Sequence, residues 1–243
     1  LDNKLFKQWL DRCTHSHKNK GYRSVTLSLK ANHQAPGDAT SEQMRLVADL
    51  ADEYSFGEVR VSHEQNLILA DVQEDNLFDL WEKAKSKNLA TPNVGLLTDI
   101  VCCPGGDFCS LANAKSIPIA ESIQEVFEDM DYLHDIGEID LNISGCMNAC
   151  GHHHVGHIGI LGVDKDGSEW YQVTLGGNQG NFASIGKVIG PSFSAEEMPA
   201  VITKIIGTYT AQRHLDESFI DCVVRIGLEP FKVSVYGAKE VKS

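Results

Sequence analysis

Two cysteine-bearing stretches decide how this chain folds, namely Cys103-Pro-Gly-Gly-Asp-Phe-Cys109 and Ser144-Gly-Cys146-Met-Asn-Ala-Cys150-Gly-His-His-His154. Five residues separate the cysteines of the first pair, three separate those of the second, and 36 residues lie between the pairs. Glycines flank both pairs, so the backbone can turn sharply beside the sulfur atoms. Four soft thiolates in two close pairs suit either a tetrahedral Zn²⁺ ion or an iron–sulfur cluster.

The spacing of the first pair favours a cluster over zinc. Structural zinc sites usually separate the cysteines of a pair by about two to four residues, and five is wide for such a turn. The thiolates of a cubane can come from more widely separated backbone positions. Simple packing of small buried cysteines is the third alternative. Cys102, directly beside Cys103, is the one alternative ligand in the first pair, and the spacing to Cys109 favours Cys103.

Composition excludes several classes of protein. The 243 residues include 21 basic and 34 acidic side chains, a net charge of −13 that disfavours binding to nucleic acid. No apolar run approaches the roughly 20 residues of a membrane span. Five of the seven cysteines lie between 102 and 150, unlike an evenly spread disulfide framework. We expect a cytoplasmic protein, and Leu1 in place of Met suggests a processed or shortened chain.

Periodicity predicts an α+β unit in the order β-α-β-β-α over residues 22–90. Residues 1–21 are expected to be a polar lead-in with a short helix, Leu5–Leu10, that has no clear core pattern. Thr40 and Gln43 form a capping box at the start of the first helix of the unit. The predicted elements are Ser24–Lys30, Met44–Tyr54, Glu58–Ser62, Asn66–Ala70 and Asn76–Lys87.

Residues 95–243 are expected to form a second, mixed α/β domain, because glycine, cysteine and histidine become frequent there. Pro118 suits the first turn of a helix that runs to about Met130. A hairpin is expected around Asp164–Gly167. The other predicted elements are Asp140–Ser144, Ile158–Val163, Glu169–Leu175, Ala195–Arg213 and Phe219–Ile226.

Both cysteine stretches resemble the paired C-x5-C and C-x3-C signatures of the sirohaem-dependent nitrite and sulfite reductases. The resemblance extends to Gly159–Gly162, Leu175–Gly177 and Gly190–Ile226, and Val59–Asn66 is similar to the family's ferredoxin-like half-domain. It implies a ferredoxin-like half-domain followed by a mixed α/β domain that binds sirohaem and a [4Fe–4S] cluster. The family's enzymes carry two such halves in tandem, and this chain resembles the C-terminal one.

The resemblance also implies the site residues and the reaction. Cys103, Cys109, Cys146 and Cys150 would bind the [4Fe–4S] cluster, and Cys150 would also bridge to the sirohaem iron as the catalytic thiolate. Asn148 would hydrogen-bond around the cluster or the macrocycle. The reaction would be electron transfer for the six-electron reduction of sulfite to sulfide in sulfur assimilation, or of nitrite to ammonia.

The segment 151–154 resembles the assimilatory sulfite reductase haemoprotein (β) component, and for this reason we expect sulfite to be the substrate. The four histidines at 152, 153, 154 and 157 are expected to be structural or to surround the site, and not to be ligands. A non-catalytic tetra-cysteine metal-binding module is the alternative function.

The acidic character of the chain conflicts with a complete active site. Sirohaem carboxylates and anionic substrates require several arginines and lysines. Between residues 101 and 190 there is no arginine, and the only lysines are Lys115, Lys165 and Lys187. We therefore expect the N-terminal half of the same enzyme to supply the basic residues. The electron donor would be a flavoprotein or a ferredoxin, and an acidic chain mildly favours the flavoprotein.

Overall fold

A computed structural model describes residues 3–237 of the chain. Leu1, Asp2 and residues 238–243, with which the second predicted domain ends, lie outside the described residues. The chain divides into two compact units between Asp99 and Ile100. Within residues 3–237, none of the helices combines the length and the apolar character that a membrane crossing requires.

The described residues of the first unit form a four-stranded antiparallel sheet with three α-helices. Its strand order is β1-β2-β4-β3, so the predicted β-α-β-β-α order is present from β2 to α3. The elements are α1 Lys4–Cys13, β1 Thr14–Ser16, β2 Tyr22–Leu27, α2 Ser41–Tyr54, β3 Arg60–Val61, β4 Leu67–Gln73 and α3 Leu77–Lys85.

The capping box at the start of α2 is confirmed. The Gln43 backbone N–H donates to Thr40 Oγ1 at 3.1 Å, and the Thr40 N–H donates to Gln43 Oε1 at 2.9 Å. These reciprocal bonds satisfy two donors that a helix start otherwise leaves without partners. Behind this start, Val47, Leu50 and Ala51 pack into the apolar core of the unit.

The start of the chain contributes more to the core than we expected. The predicted short helix is present, but it is longer, and β1 follows it and pairs with β2. Phe6, Trp9 and Cys13 are buried in the same apolar cluster as Leu69 and Trp81. The expectation that this segment lacks a core pattern was wrong, because three apolar residues at helical spacing meet the sheet.

The second unit is a five-stranded mixed sheet with six helices among its described residues. Strands β5, β6 and β7 are parallel, and β8 and β9 extend the sheet in antiparallel fashion. The elements are β5 Val101–Cys102, α4 Gly105–Phe108, α5 Ile117–Val126, α6 Met130–Ile136, β6 Leu141–Ser144, β7 Ile158–Lys165, β8 Ser168–Leu175, β9 Lys187–Val188, α7 Met198–Gln212, α8 Phe219–Ile226 and α9 Glu229–Tyr236.

The predicted hairpin is confirmed, with a two-residue turn at Asp166 and Gly167. Their φ angles of 54° and 82° are those of a type I′ turn, whose twist matches the twist of the flanking strands. Helix α8 has the predicted bounds, and α7 buries Val201 and Ile205 on the predicted stripe. The helix predicted to reach Met130 instead ends at Val126, and α6 and α9 were not predicted.

Candidate functional site

Both cysteine pairs begin where adjacent parallel strands end. Cys103 directly follows β5, and Cys146 lies two residues beyond the end of β6. Because β5 and β6 are parallel neighbours, their carboxyl ends lie at the same edge of the sheet, where open α/β sheets commonly bind ligands. The Cys103 N–H donates to the Ile143 carbonyl at 3.1 Å and so continues the pairing of the two strands into the site.

The two cysteine loops pack directly against each other through glycines. The Gly145 carbonyl accepts hydrogen bonds from the N–H groups of Asn113 at 2.8 Å and Ala114 at 3.1 Å. A Cβ atom on Gly145 would lie 2.6 Å from the Ala114 carbonyl oxygen and 2.9 Å from Gly105 Cα. Side chains at these positions would separate the loops. The glycine flanks seen in the sequence therefore permit a close backbone approach between the loops of the two cysteine pairs.

Cys103 is held in a defined polar environment. Its Sγ accepts the Gly145 backbone N–H at 3.0 Å and lies 3.5 Å from Ser116 Oγ. The neighbouring Cys102 is also buried, but its Sγ donates to the Cys103 carbonyl at 3.2 Å. Of these two adjacent cysteines, Cys103 therefore has the sulfur that accepts a hydrogen bond from the loop of the second pair.

The four predicted ligands differ in exposure. Cys103 and Cys146 are buried, Cys109 is half-buried and Cys150 is exposed. All four carry free thiols. Asn148 is exposed on the same loop as Cys150. Among residues 3–237, the structure does not bring three or more histidine, cysteine, aspartate or glutamate side chains into one group that could hold a metal ion. The loops are thus adjacent, while the four sulfurs do not form one such group.

Two buried polar side chains of β6 position the loop that carries the second pair. Asn142 Nδ2 donates to the Gly151 carbonyl at 3.0 Å, and the Gly151 N–H donates to Ser144 Oγ at 3.1 Å. Both side chains belong to alternate residues of one strand and so lie on one face of it. We did not predict these roles, although polar residues within a fully buried strand were a usable signal.

The loop itself contains two non-glycine residues in the left-handed region. Ala149 has φ 56° and His152 has φ 54°, and successive turns run from the Ala149 N–H to the Cys146 carbonyl and from the His152 N–H to the Ala149 carbonyl. Such conformations persist only where surrounding contacts over-determine them, and they often occur at functional sites.

The histidines after Cys150 have different environments. His153 is buried and its ring lies 4.0 Å from that of His154. Burial, and secondarily the nearby His154, lowers the pKa of His153 to about 4, so its ring is neutral at physiological pH. His157 Nδ1 accepts the Asp140 backbone N–H at 3.1 Å, which ties the loop end to the start of β6. His157 therefore has a structural role.

Two of the three lysines between residues 101 and 190 already have local partners. Lys115 Nζ lies 3.6 Å from Asp107, and Lys165 Nζ lies 4.8 Å from the centre of the Trp170 ring. The Lys115 backbone is fixed as well, because its carbonyl accepts the Tyr171 hydroxyl at 2.9 Å. Both lysines therefore already have local partners.

Two sequence families match the chain in tandem. Residues 15–87 match the family described as "Nitrite/Sulfite reductase ferredoxin-like half domain", and residues 95–242 match "Nitrite and sulphite reductase 4Fe-4S domain". An assimilatory ferredoxin-dependent nitrite reductase of Haloferax mediterranei is 30% identical over 208 residues, which are 83% of this chain and 34% of that protein. Sulfite reductase [ferredoxin] 2 of Mycolicibacterium paratuberculosis is 25% identical over 87% of this chain and 40% of its own length.

The fold is shared with a solved structure of Mycobacterium tuberculosis NirA protein. The superposition has a TM-score of 0.74 at 24% identity and covers 90% of this chain and 41% of that protein. The chain spans between about a third and two fifths of the length of these relatives.

Proposed function

This chain belongs to the nitrite and sulfite reductase family, and from that premise we propose that Cys103, Cys109, Cys146 and Cys150 bind its [4Fe–4S] cluster. Family members bind sirohaem together with this cluster. The observation that carries the proposal is the packing of both cysteine loops against each other at one edge of the sheet.

The chemistry of the residues fits an iron–sulfur cluster. Four thiolates are the usual ligand set of a cubane, and backbone N–H groups near the sulfurs tune its potential. The Gly145 N–H that reaches Cys103 Sγ is such a group. The gap of five residues in the first pair, together with the packed glycines, favours a cluster over a single zinc ion.

Exposure supports a distinct role for Cys150. Cys103 and Cys146 are enclosed by protein, whereas Cys150 and Asn148 are exposed to solvent. A thiolate in that position is accessible to a second group, and we propose that Cys150 ligates both the cluster and the sirohaem iron. Asn148 would then hydrogen-bond to the macrocycle or its surroundings.

The proposed reaction is the six-electron reduction of sulfite to sulfide or of nitrite to ammonia. When bound, the coupled cluster and sirohaem supply single electrons to the substrate. The protein holds the thiolates at one edge of the sheet, buries Cys103 and Cys146 away from water, and fixes the loop that carries Cys150. Asn142 and Ser144 contribute to this positioning through their bonds to Gly151.

The two substrates are supported by different observations. The histidine-rich segment 151–154 supports sulfite, and the mycobacterial relative is named as a sulfite reductase. The Haloferax relative is named as a nitrite reductase and has the higher identity, which supports nitrite as the second candidate. Turnover of the cofactor-loaded protein with each anion, using one chemically reduced donor, separates the two.

A second half of the enzyme and an electron donor are further parts of the proposal. The scarcity of arginine and lysine between residues 101 and 190 supports an N-terminal half that supplies the basic residues for substrate and sirohaem carboxylates. The names of the relatives support ferredoxin as donor, whereas the acidic net charge supports a flavoprotein or a docking face elsewhere. Clustered free thiols suit a reducing compartment, and we propose the cytoplasm.

The test is the cofactor content of anaerobically purified protein that includes its N-terminal half. The proposal predicts iron, acid-labile sulfide and a sirohaem absorption pattern, together with turnover of sulfite or nitrite. Stoichiometric zinc without sulfide would contradict it and would support the non-catalytic metal-binding module. Turnover by residues 1–243 alone would contradict only the claim that the basic residues lie in the other half.

A further inference from the structure

Ser116 stands at the N-cap of α5 but does not cap the helix. Serine at this position normally accepts a hydrogen bond from a backbone N–H of the first turn, which stabilises the helix start. Within the described part of the chain, the Ser116 side chain makes no such bond, and proline occupies the first turn. An N-cap serine that does not make the usual capping bond is a candidate for a functional role.

The hydroxyl of Ser116 is directed instead to a proposed cluster ligand. Ser116 Oγ lies 3.5 Å from Cys103 Sγ, within hydrogen-bonding distance of a sulfur atom. The Ser116 side chain is fully buried, so water does not compete for the hydroxyl.

Glycines of both cysteine loops fix the position of this hydroxyl. A Cβ on Gly105, in the loop of the first pair, would lie 2.6 Å from Ser116 Oγ. A Cβ on Gly145, before the second pair, would lie 3.0 Å from the same atom. Ser116 is therefore enclosed by backbone of both loops, and its side chain has little room to turn away from Cys103.

We propose that Ser116 donates a hydrogen bond to the Cys103 thiolate and thereby sets the reduction potential of the cluster. This inference rests on the proposed function, because it requires Cys103 to be a ligand. A free thiol and a hydroxyl can each donate to the other, but a metal-bound thiolate has no proton and can only accept. Ligation thus fixes the direction of the bond from Ser116 Oγ to Cys103 Sγ.

The sign of the effect follows from charge. One-electron reduction adds negative charge to the cluster and its thiolates, and a hydrogen-bond donor at a thiolate stabilises that added charge. Ser116 therefore favours the reduced state and raises the potential. The Gly145 N–H donates to the same sulfur from the backbone and remains when Ser116 is substituted. Ser116 is a positioning and tuning residue, since it acts through Cys103.

The experiment is a potentiometric titration of the cluster, followed by EPR, in the cofactor-loaded protein. In Ser116→Ala we expect the equilibrium constant for one-electron reduction to fall about tenfold, a potential lower by about 59 mV. Ser116→Thr keeps the hydroxyl and should stay at the wild-type potential, whereas Ser116→Val, which has the shape of threonine without its hydroxyl, should shift with Ser116→Ala. The matched control is Ser122→Ala on the same helix, whose hydroxyl donates to the Ile119 carbonyl at 2.9 Å.

The outcomes separate this inference from the proposed function. A loaded Ser116→Ala protein with an unshifted potential would overturn the role of Ser116 and leave the cluster assignment intact. If Ser116→Ala loses the cluster, the cluster potentials of Ser116→Thr and Ser116→Val are compared instead. Threonine and valine have the same shape, so a lower potential in Ser116→Val supports the role of the hydroxyl and equal potentials overturn it. Loss of the cluster from all three variants would show a packing role only and would overturn the inference. A wild-type protein without iron and sulfide would instead refute the proposed function.

Discussion

Gly151→Ala is expected to disrupt the cysteine site by a single added methyl group. Gly151 follows Cys150 directly, and a Cβ there would lie 1.9 Å from the Ile143 carbonyl oxygen and 2.8 Å from its carbon. Its φ is not in the left-handed region, so the effect of alanine comes from space and not from backbone strain. The oxygen that it would strike also accepts the Cys103 N–H, so the clash reaches both cysteine pairs.

The size of the disturbance can be worked from these distances. Real Cβ contacts do not fall below 3.0 Å, so the loop and the strand must separate by roughly 1 Å. The obstacle is backbone of β6 and cannot rotate away, which places the cost near the upper end of the usual 1–3 kcal/mol for overpacking, about 3 kcal/mol. Ligand distances in metal sites are expected within about 0.2 Å of their usual values, so a shift of this size at Cys150 should prevent cluster binding.

The assay is the iron and sulfide content of the purified variant together with its midpoint in urea. The matched control is Gly207→Ala, because Gly207 lies exposed in α7 and a Cβ there would meet nothing within 4 Å. We expect the control to keep its cluster and to gain about 0.8–1 kcal/mol from the higher helix propensity of alanine. Wild-type iron content and an unchanged midpoint in Gly151→Ala would refute the reasoning about the loop.

Three further substitutions test separate parts of the structure. Thr40→Ala removes the capping box of α2 and should lower the free energy of unfolding by about 1 kcal/mol, measured in urea, with Thr40→Ser close to wild type; an unchanged value would contradict the capping role. Hydrogen bonds from Arg225 lower the pKa of Glu217 from 4.5 to about 2, so this pair stabilises the fold above pH 4.5 and loses that effect as the pH falls toward 2. Glu217→Gln should therefore unfold more easily at pH 6 and lose less stability between pH 6 and pH 3, and equal losses in both proteins would refute the assignment. Asn142→Leu removes the bond to the Gly151 carbonyl and should reduce iron occupancy while the circular dichroism spectrum is retained; full occupancy would show that the loop does not need it.

Features with a local physical cause were predictable from the sequence. The capping box at Thr40 depends on residues three positions apart, and the turn at Asp166 and Gly167 depends on two adjacent residues that tolerate positive φ. Both are confirmed. The glycines beside the cysteines also indicated sharp backbone turns, and Gly145 does allow the two loops to meet.

Features that depend on tertiary contacts could not be predicted in the same way. Phe6, Trp9 and Cys13 have helical spacing, but polar neighbours hide the pattern until the sheet is present to cover it. Ser116 has the sequence signature of an ordinary N-cap, and only the fold shows its hydroxyl beside Cys103. The spacing of cysteines in the sequence likewise does not predict their solvent exposure, and Cys150 is exposed whereas Cys103 is buried.

The most direct test of the central claim compares two adjacent cysteines by iron and sulfide analysis. Cys102→Ser and Cys103→Ser change the same atom in neighbouring buried residues, and only Cys103 has a sulfur that accepts the Gly145 N–H. With Cys103, Cys109, Cys146 and Cys150 as the cluster ligands, Cys102→Ser should keep four irons and four sulfides per chain, and Cys103→Ser should lose them. Full iron and sulfide in Cys103→Ser, or their loss in Cys102→Ser alone, would contradict the assignment.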